Sequence, residues 1–422
     1  MPTPLRRRLR LFRRYAITAS ALALVALAVL VGAASQVLPL AEQHPQQIAA
    51  WLSERAGQPI RFDRLQTEWT RRGPLLRLDG LRIGPNGDVR VGQAEVVLAM
   101  YAGLLPGHAL TEVRLRGLAL TLQRGDDGVW SVQGLPSGRH ADPLDALRRL
   151  GEIQVSEARL HIDAPSIGLD TTLPRIDLRL RVQGATLRVG SRSWIDLARA
   201  PLTSVLEFDR DSGDGSAYAQ AAPADLAAWA SLLQAGGVRV DGGSGRLQAW
   251  AQLRARRVSA VTVVADLTQV QLSGAPLAGE SARRTLKWER LQARARWQTV
   301  AGGWRLDAPQ LRLGSANTLQ HLDGLSIAAG RRYAVVGDAL DVSGLIAAAA
   351  LSDQLSPGLR RWLALSRPQL RVSKLQLAGE QGGAVRAQGQ VEELAFQPVG
   401  KSPGISGLRG HFDGDAQAIA LQ

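Results

Sequence analysis

The sequence predicts a mainly β fold, a long antiparallel meander with a few short helices, held at its N-terminus by one transmembrane helix. Three observations predict it. Runs of strand length in which apolar and polar residues alternate recur along the chain, about 20 of them, separated by Gly, Pro, Asn and Asp. Glycine is plentiful at 44, whereas there are only 10 Trp, 4 Tyr and 5 Phe, a supply that suits strands and turns better than a large globular core. Finally, six arginines (Arg6, Arg7, Arg8, Arg10, Arg13 and Arg14) precede Ala16 to Ala41, a stretch without any charged side chain.

In chain order, residues 1–14 are the basic flank and 15–38 the anchor. A helix needs about 20 apolar residues to cross roughly 30 Å of hydrocarbon, and the run centred on ALALVALAVLV supplies them. No Lys or Arg returns until Arg55, so the charge asymmetry puts the N-terminus in the cytoplasm and the bulk of the chain across the membrane. Gly32, Ala33 and Ala34 would satisfy a small-residue cleavage rule, but the apolar run exceeds the roughly 7 to 15 residues of a signal peptide, which favours an uncleaved anchor.

Residues 39–57 hold a juxtamembrane helix. Pro45 suits its first turn, Ile48, Trp51 and Leu52 share a face, and Gly57 is placed to cap it. From 58 to 135 the period changes to two. Gln58 to Trp69, Pro74 to Gly84, Val89 to Tyr101, Leu110 to Arg124 and Gly128 to Leu135 read as strands, with Asp126-Asp127-Gly128 as a hairpin turn. Residues 136–151 form a helical connector through Asp142 to Leu150.

The central β segment spans 152–346. Its clearest alternation is RIDLRLRV, where Ile176, Leu178, Leu180 and Val182 face away from Arg175, Asp177, Arg179 and Arg181. Leu247, Ala249, Ala251 and Leu253 repeat the pattern, as do Leu311 and Leu313. Within this segment a helix is predicted to open at Pro223, carrying Leu226, Trp229 and Leu233 inward. Asp209 to Asp214 and the GGSGR of Gly242 to Arg246 read as turns. Residues 347–368 are a helical insertion opened by Ser356 and Pro357, with Leu359, Trp362 and Leu363 at helical spacing and Pro368 as its stop. Residues 369–422 return to strand, and the last strand is expected to be cut short. Around Ala416 to Leu421 no proline, bulge signal or lysine cluster guards the edge, so further sequence or another periplasmic or outer-membrane β-protein is expected to pair there.

The formal charge of +14 falls to +8 once the six flank arginines are set aside, leaving 45 basic against 37 acidic residues. Spread over the rest of the chain, this excess lacks the clustering of a nucleic-acid footprint, and no nucleic-acid partner is expected. It is compatible with anionic membrane surfaces. With no cysteine, stability rests on sheet hydrogen bonds and burial.

No catalytic constellation emerges, and no enzyme, metal or cofactor is expected. The six histidines (His44, His108, His140, His161, His321 and His411) are scattered without metal-ligand spacing. The acidic turn at Asp209 lacks the offsets of a calcium loop. GGSGR is neither a nucleophile elbow nor a phosphate loop.

The meander could close on itself, pack against a second sheet or curl into an open trough, and the apolar faces could pack on an ordinary core or line a lipid path. The order of basic flank, span, helix ending in RAGQPIRFDRL, then LLRLDGLRIG, then YAGLLPGHALTEVRLRGLALTLQRGDDGVWSV resembles the start of AsmA-like proteins of Gram-negative envelopes, most of all the YhdP branch. LSDQLSPGLRRWLALSRPQLRVSKLQLAG (Leu351 to Gly379) is similar to the same branch. The resemblance implies a single-pass inner-membrane protein with its bulk in the periplasm, folded as a taco-shaped β-groove of the chorein-bridge type. It further implies conduction of phospholipids between the inner and outer membranes. On that reading the groove candidates are Ile176, Leu178, Leu180, Val182, Leu247, Ala249, Ala251, Leu253, Leu311 and Leu313. The alternative is a structural or assembly factor for outer-membrane biogenesis that works through protein contacts.

Overall fold

The computed structural model describes residues 42–56, 58–98, 111–125, 130–133, 152–165, 169–230, 233–277, 279–315, 318–415 and 418–421. The predicted flank and anchor, the Gly57 cap, the turn at Asp126 and the connector at 136–151 lie outside them. No helix among the described residues is long and apolar enough to cross a membrane. The protein is mainly β with few helices, and the strand pairings are antiparallel between near neighbours in the chain. It divides into two compact units, Met1–Thr121 with Ser131–Ala158, and Leu122–Trp130 with Arg159–Gln422.

The first unit starts with α1 (Pro45–Ala56), which forms where the sequence places it. Ile48 and Leu52 pack on a small core of Leu65, Leu78, Leu81, Val91 and Ala94, whereas Trp51 is 56% exposed and so does not share their burial. Ser53 Oγ ties the helix to the first strand by accepting the Ile60 N–H at 2.8 Å and donating to the Ala49 carbonyl at 2.6 Å.

The strand predicted from Gln58 to Trp69 is split into β1 (Ile60–Arg61) and β2 (Arg64–Thr70). At the break Asp63 lies over Gly80, which is at φ 64° and where a Cβ would come 2.0 Å from the Asp63 carboxylate, and the Asp63 N–H donates to the Asp79 carbonyl. Both strands pair with β3 (Gly73–Ile83), which pairs with β4 (Val89–Leu98) and through it with β5 (Thr111–Arg124). Two further strands, β6 (Trp130–Val132) and β7 (Glu152–Ala164), follow.

The second unit is a long meander. Its strands are β8 (Leu169–Gln183), β9 (Thr186–Trp194), β10 (Leu202–Asp209), β11 (Gly215–Asp225), β12 (Gln234–Ala235), β13 (Val238–Arg254), β14 (Arg257–Ser273), β15 (Thr285–Val300), β16 (Gly303–Ser315), β17 (Thr318–Gly330) and β18 (Arg332–Asp341). Then come α2 (Ser343–Ala349), α3 (Pro357–Ser366), β19 (Gln369–Glu380), β20 (Val385–Phe396), β21 (Ile405–Asp415) and β22 (Ile419–Leu421). Among the described residues no ladder joins β8 to β21 or β22, so this sheet stays open.

Three expectations need correction. No α-helix opens at Pro223. The ladder between β11 and β13 runs on through Ala224↔Gly245 and Asp225↔Ser244, a bulge after Ala221 absorbs the proline, and only isolated turns follow from Leu226. Asp225 Oδ1 accepts the Ala227 N–H and starts the first of them. Leu226 is nevertheless buried and Leu233 packs against the same core, so two of the three residues expected to point inward do so, while Trp229 is only half-buried and is not part of that core.

GGSGR is strand rather than turn. It lies inside β13, where a Cβ on Gly245 would come 2.2 Å from the Asp266 carbonyl oxygen, so glycine is what lets the two backbones approach. The helical insertion also begins earlier than 347, at Ser343. α3 itself matches expectation, with Ser356 Oγ accepting the Leu359 N–H and Arg367 ending it in the left-handed conformation at φ 45°. The Asp209 turn is a hairpin turn as predicted, its carboxylate accepting from the N–H groups of Asp211 and Ser212.

Candidate functional site

The ladders of the second unit can be followed strand by strand along single cross-strand rows. One row begins at Leu180 and runs through Val189, Leu206, Ala217, Ala251 and Val261. It continues through Trp297, Leu306, Ile327, Val335, Leu377 and Ala387. Every member is apolar and half-buried; Ile327 and Val335 also touch the edge of the hydrophobic core, and the other members lie clear of it. At about 4.8 Å per strand, a row across twelve strands extends roughly 50 Å.

The next row, one residue along each strand, points to the other face. It reads Arg179, Gly190, Val205, Tyr218, Trp250, Thr262, then Arg296, Asp307, Ser326, Val336 and Gln376. This face is polar and carries the charge pairs: Arg175 with Asp177 at 2.9 Å, Arg188 with Glu207 at 3.0 Å and Arg305 with Asp307 at 2.8 Å. Burial acts to raise the pKa of Asp307. Hydrogen bonds from Ser326 and Arg305, with the charges of Arg305 and Arg296, outweigh it and hold that carboxyl below the ordinary value. From β8 to β19 the period-two pleat thus separates an apolar face from a mainly polar one, on which Val205, Trp250 and Val336 are exposed apolar exceptions.

A second apolar row shares the face of the first: Ala221, Leu247, Ala265, Ala293, Leu311, Leu322, Leu340 and Val372. This one is covered. Leu322 is 0% and Leu340 3% exposed, in a core that also takes in Leu226, Leu345, Ala348 and Leu351 from the helices and turns laid over this end of the strands. Gly344 lets α2 come close, since a Cβ there would meet Leu313 Cδ1 at 2.3 Å. Arg360 fastens the cover. It is buried on α3, and its guanidinium donates to the carbonyls of Ala350, Leu351 and Ala275 at 3.4, 3.4 and 2.8 Å, satisfying the end of α2 and the loop after β14 together.

A sheet that is greasy on one face, charged on the other and roofed over only one end of the greasy face is what the structure presents. The profile of the YhdP protein family matches residues 4–422. The chain belongs to the YhdP family. That makes it an envelope protein of the AsmA-like kind. Nothing among curated proteins or solved structures matches it.

In this YhdP-family chain all ten predicted groove residues lie on the apolar face. Ile176, Leu178, Leu180 and Val182 are half-buried along β8, and so are Ala249, Ala251 and Leu253 on β13. Leu247, Leu311 and Leu313 sit at the roofed end: Leu313 is 1% exposed, and the other two pack against the same core. Sequence reading missed Leu306, Ile327, Val335 and Leu377, which carry the open row across β16 to β19. On β17 and β19 the alternation is thrown out of phase by residues at positive φ, Gly324 (68°) and Lys374 (51°), and on β16 by the register irregularity opposite Arg294 and Arg296. A glycine or a lone lysine inside an otherwise apolar alternation was the available signal. Among the described residues no group of His, Asp or Glu is placed to hold a metal ion.

Proposed function

We propose that this chain is a non-enzymatic lipid-transfer protein of the Gram-negative envelope, anchored in the inner membrane by its N-terminal span, with the open apolar row of its second unit carrying phospholipid acyl chains through the periplasm. The observation that carries this reading is the unbroken row from Leu180 to Ala387. Soluble proteins seldom leave a contiguous apolar band of this length only half-covered, and each methylene laid on it gains about 0.8 kcal/mol. Because the row changes little from strand to strand, an acyl chain would move along it without a deep minimum. Membership of the YhdP family supports the envelope setting, and the arginine-flanked span supports the anchor.

The test is site-specific photo-crosslinking in the intact membrane protein. Probes at 178, 180 and 377 should capture phospholipid, while probes at 179 and 376 on the polar face should not. Equal labelling of both faces would remove the basis of the proposal. A second reading, an assembly factor acting through protein contacts, draws on Val205 and Trp250, which are 56% and 40% exposed on the polar face beside Tyr218. Protein adducts at 205 and 250 without lipid at 180 would favour it.

A further inference from the structure

A cavity of about 540 Å³ opens at the roofed end of the second unit, between α2, α3 and the ends of β15, β16 and β17. That is the size of a small-ligand site. Leu286, Trp288 and Leu363 form its apolar wall, and Arg284 and Arg367 stand on its lining together with Gln320.

The charge balance there is positive. Glu280 holds Arg284 at 2.9 Å and also lies in the field of Arg361, so this carboxylate is set against Arg284 and Arg361 and not against Arg367. Among the described residues Arg367 makes no ion pair; it leaves α3 in the left-handed conformation, with its N–H on the Leu363 carbonyl. Asp341, the other nearby acid, is occupied by the N–H and hydroxyl of Ser343. Gln320 Oε1 is buried and accepts no hydrogen bond, and half a turn of that amide would present two N–H donors instead.

Resting on the lipid-binding reading above, we propose that this cavity binds the phosphate-bearing head group of an amphiphile. Arg367 and Arg284 pair with the phosphate oxygens, the Gln320 amide donates to one of them, and the apolar wall takes the first carbons of the acyl chains. An apolar wall without the arginines would suit any hydrocarbon, and arginines without the wall would suit any anion. Together they select a molecule that is both.

The test uses the full chain purified in a neutral detergent. Calorimetric titration is run with dihexanoyl phosphatidic acid, with dihexanoylglycerol, which lacks the phosphate, and with inorganic phosphate, which lacks the chains. The phosphatidic acid should bind at least about ten-fold more tightly than either half, Arg367→Ala should weaken it about ten-fold, Arg367→Lys less, and the cavity-filling Ala347→Phe should abolish it. Dihexanoylglycerol binding as tightly would overturn the phosphate assignment, and inorganic phosphate binding as tightly would overturn the amphiphile. Unchanged affinity in both Arg367→Ala and Ala347→Phe would place the site elsewhere and overturn the proposal.

Photo-labelling at 180 separates this inference from its foundation. Lipid capture at 180 that survives Arg367→Ala while the titration signal drops supports both. Labelling absent at 180 in a wild-type protein that still binds phosphatidic acid would sink the conduit reading and leave the cavity standing.

Discussion

Two rows on one face of one sheet, the open row from Leu180 to Ala387 and the covered row from Ala221 to Val372, are built from the same residue types on many of the same strands. Their surroundings differ. Leu322 and Leu340 are sealed at 0% and 3% exposure, whereas Leu306, a few residues further along the ladder between β16 and β17, is only half-buried and lies outside that core, with its partner Ile327 at the core's edge. The pleat alone decides which face a side chain takes, while the cover over it comes from segments distant in sequence, Leu226 on one side and Leu345 to Leu351 on the other. An apolar alternation therefore specifies a face and leaves open whether that face becomes core or binding surface.

The sharpest way to break this comparison is truncation in each row. Leu322→Ala should cost about 2 to 5 kcal/mol, the range for a sealed leucine whose neighbours cannot fully collapse. Leu306→Ala in the open row should cost about 1 kcal/mol, since much of its side chain already meets solvent. Urea melts of the two variants measure the gap, and equal losses would mean that the open row is packed as tightly as the covered one.

Removing the fastening of the roof comes next in size. Arg360→Met keeps the bulk and deletes the donors, leaving the Ala350, Leu351 and Ala275 carbonyls without their shared partner. A loss of about 2 kcal/mol is expected, with increased binding of a hydrophobic dye as the covered row opens. If dye binding stays at the wild-type level, the helices are held by the Leu345 and Leu351 contacts alone. Leu180→Arg in the open row should change stability by less than about 1 kcal/mol while ending lipid capture at 178, and Arg179→Leu on the other face should leave capture intact.

Much of this was legible in the sequence because local rules acted alone. α1 and α3 begin at proline after a polar lead-in and occupy the predicted residues, and the β8 alternation survives intact because nothing interrupts its pleat. Pro223 misled because a strand edge with a bulge tolerates proline as well as a helix N-terminus does, and the choice was made by pairing with β13, a partner over twenty residues away. GGSGR misled for the same kind of reason: glycines that read as a turn are required by the close approach of β14. The separation of Leu313 from Leu180 could not be read locally at all, since it depends on where α2 lands.

The smallest expected effect concerns the charged face and asks whether the two faces act independently. Asp307 lies behind the open row, and hydrogen bonds from Ser326 and Arg305 hold its folded pKa below the usual carboxylate value against the opposing effect of burial. Asp241 on β13 is lowered too, by Ser273 and by the charges of Arg239 and Arg283, again against burial. A depressed folded pKa means that the carboxylate contributes stability in full above the unfolded value near 4, and that this contribution is lost as pH falls through the lower folded value. Asp307→Asn should therefore cost about half a kcal/mol at pH 7 and nothing once the wild-type carboxyl is protonated, so the two melting curves should converge in acid. The pleat that puts Asp307 and Leu306 on opposite faces predicts one thing more: lipid capture at 180 and 377 should be the same in Asp307→Asn as in the wild type at neutral pH. Capture that falls with the variant would show that the charged face shapes the apolar one, and the two would then have to be treated as a single surface.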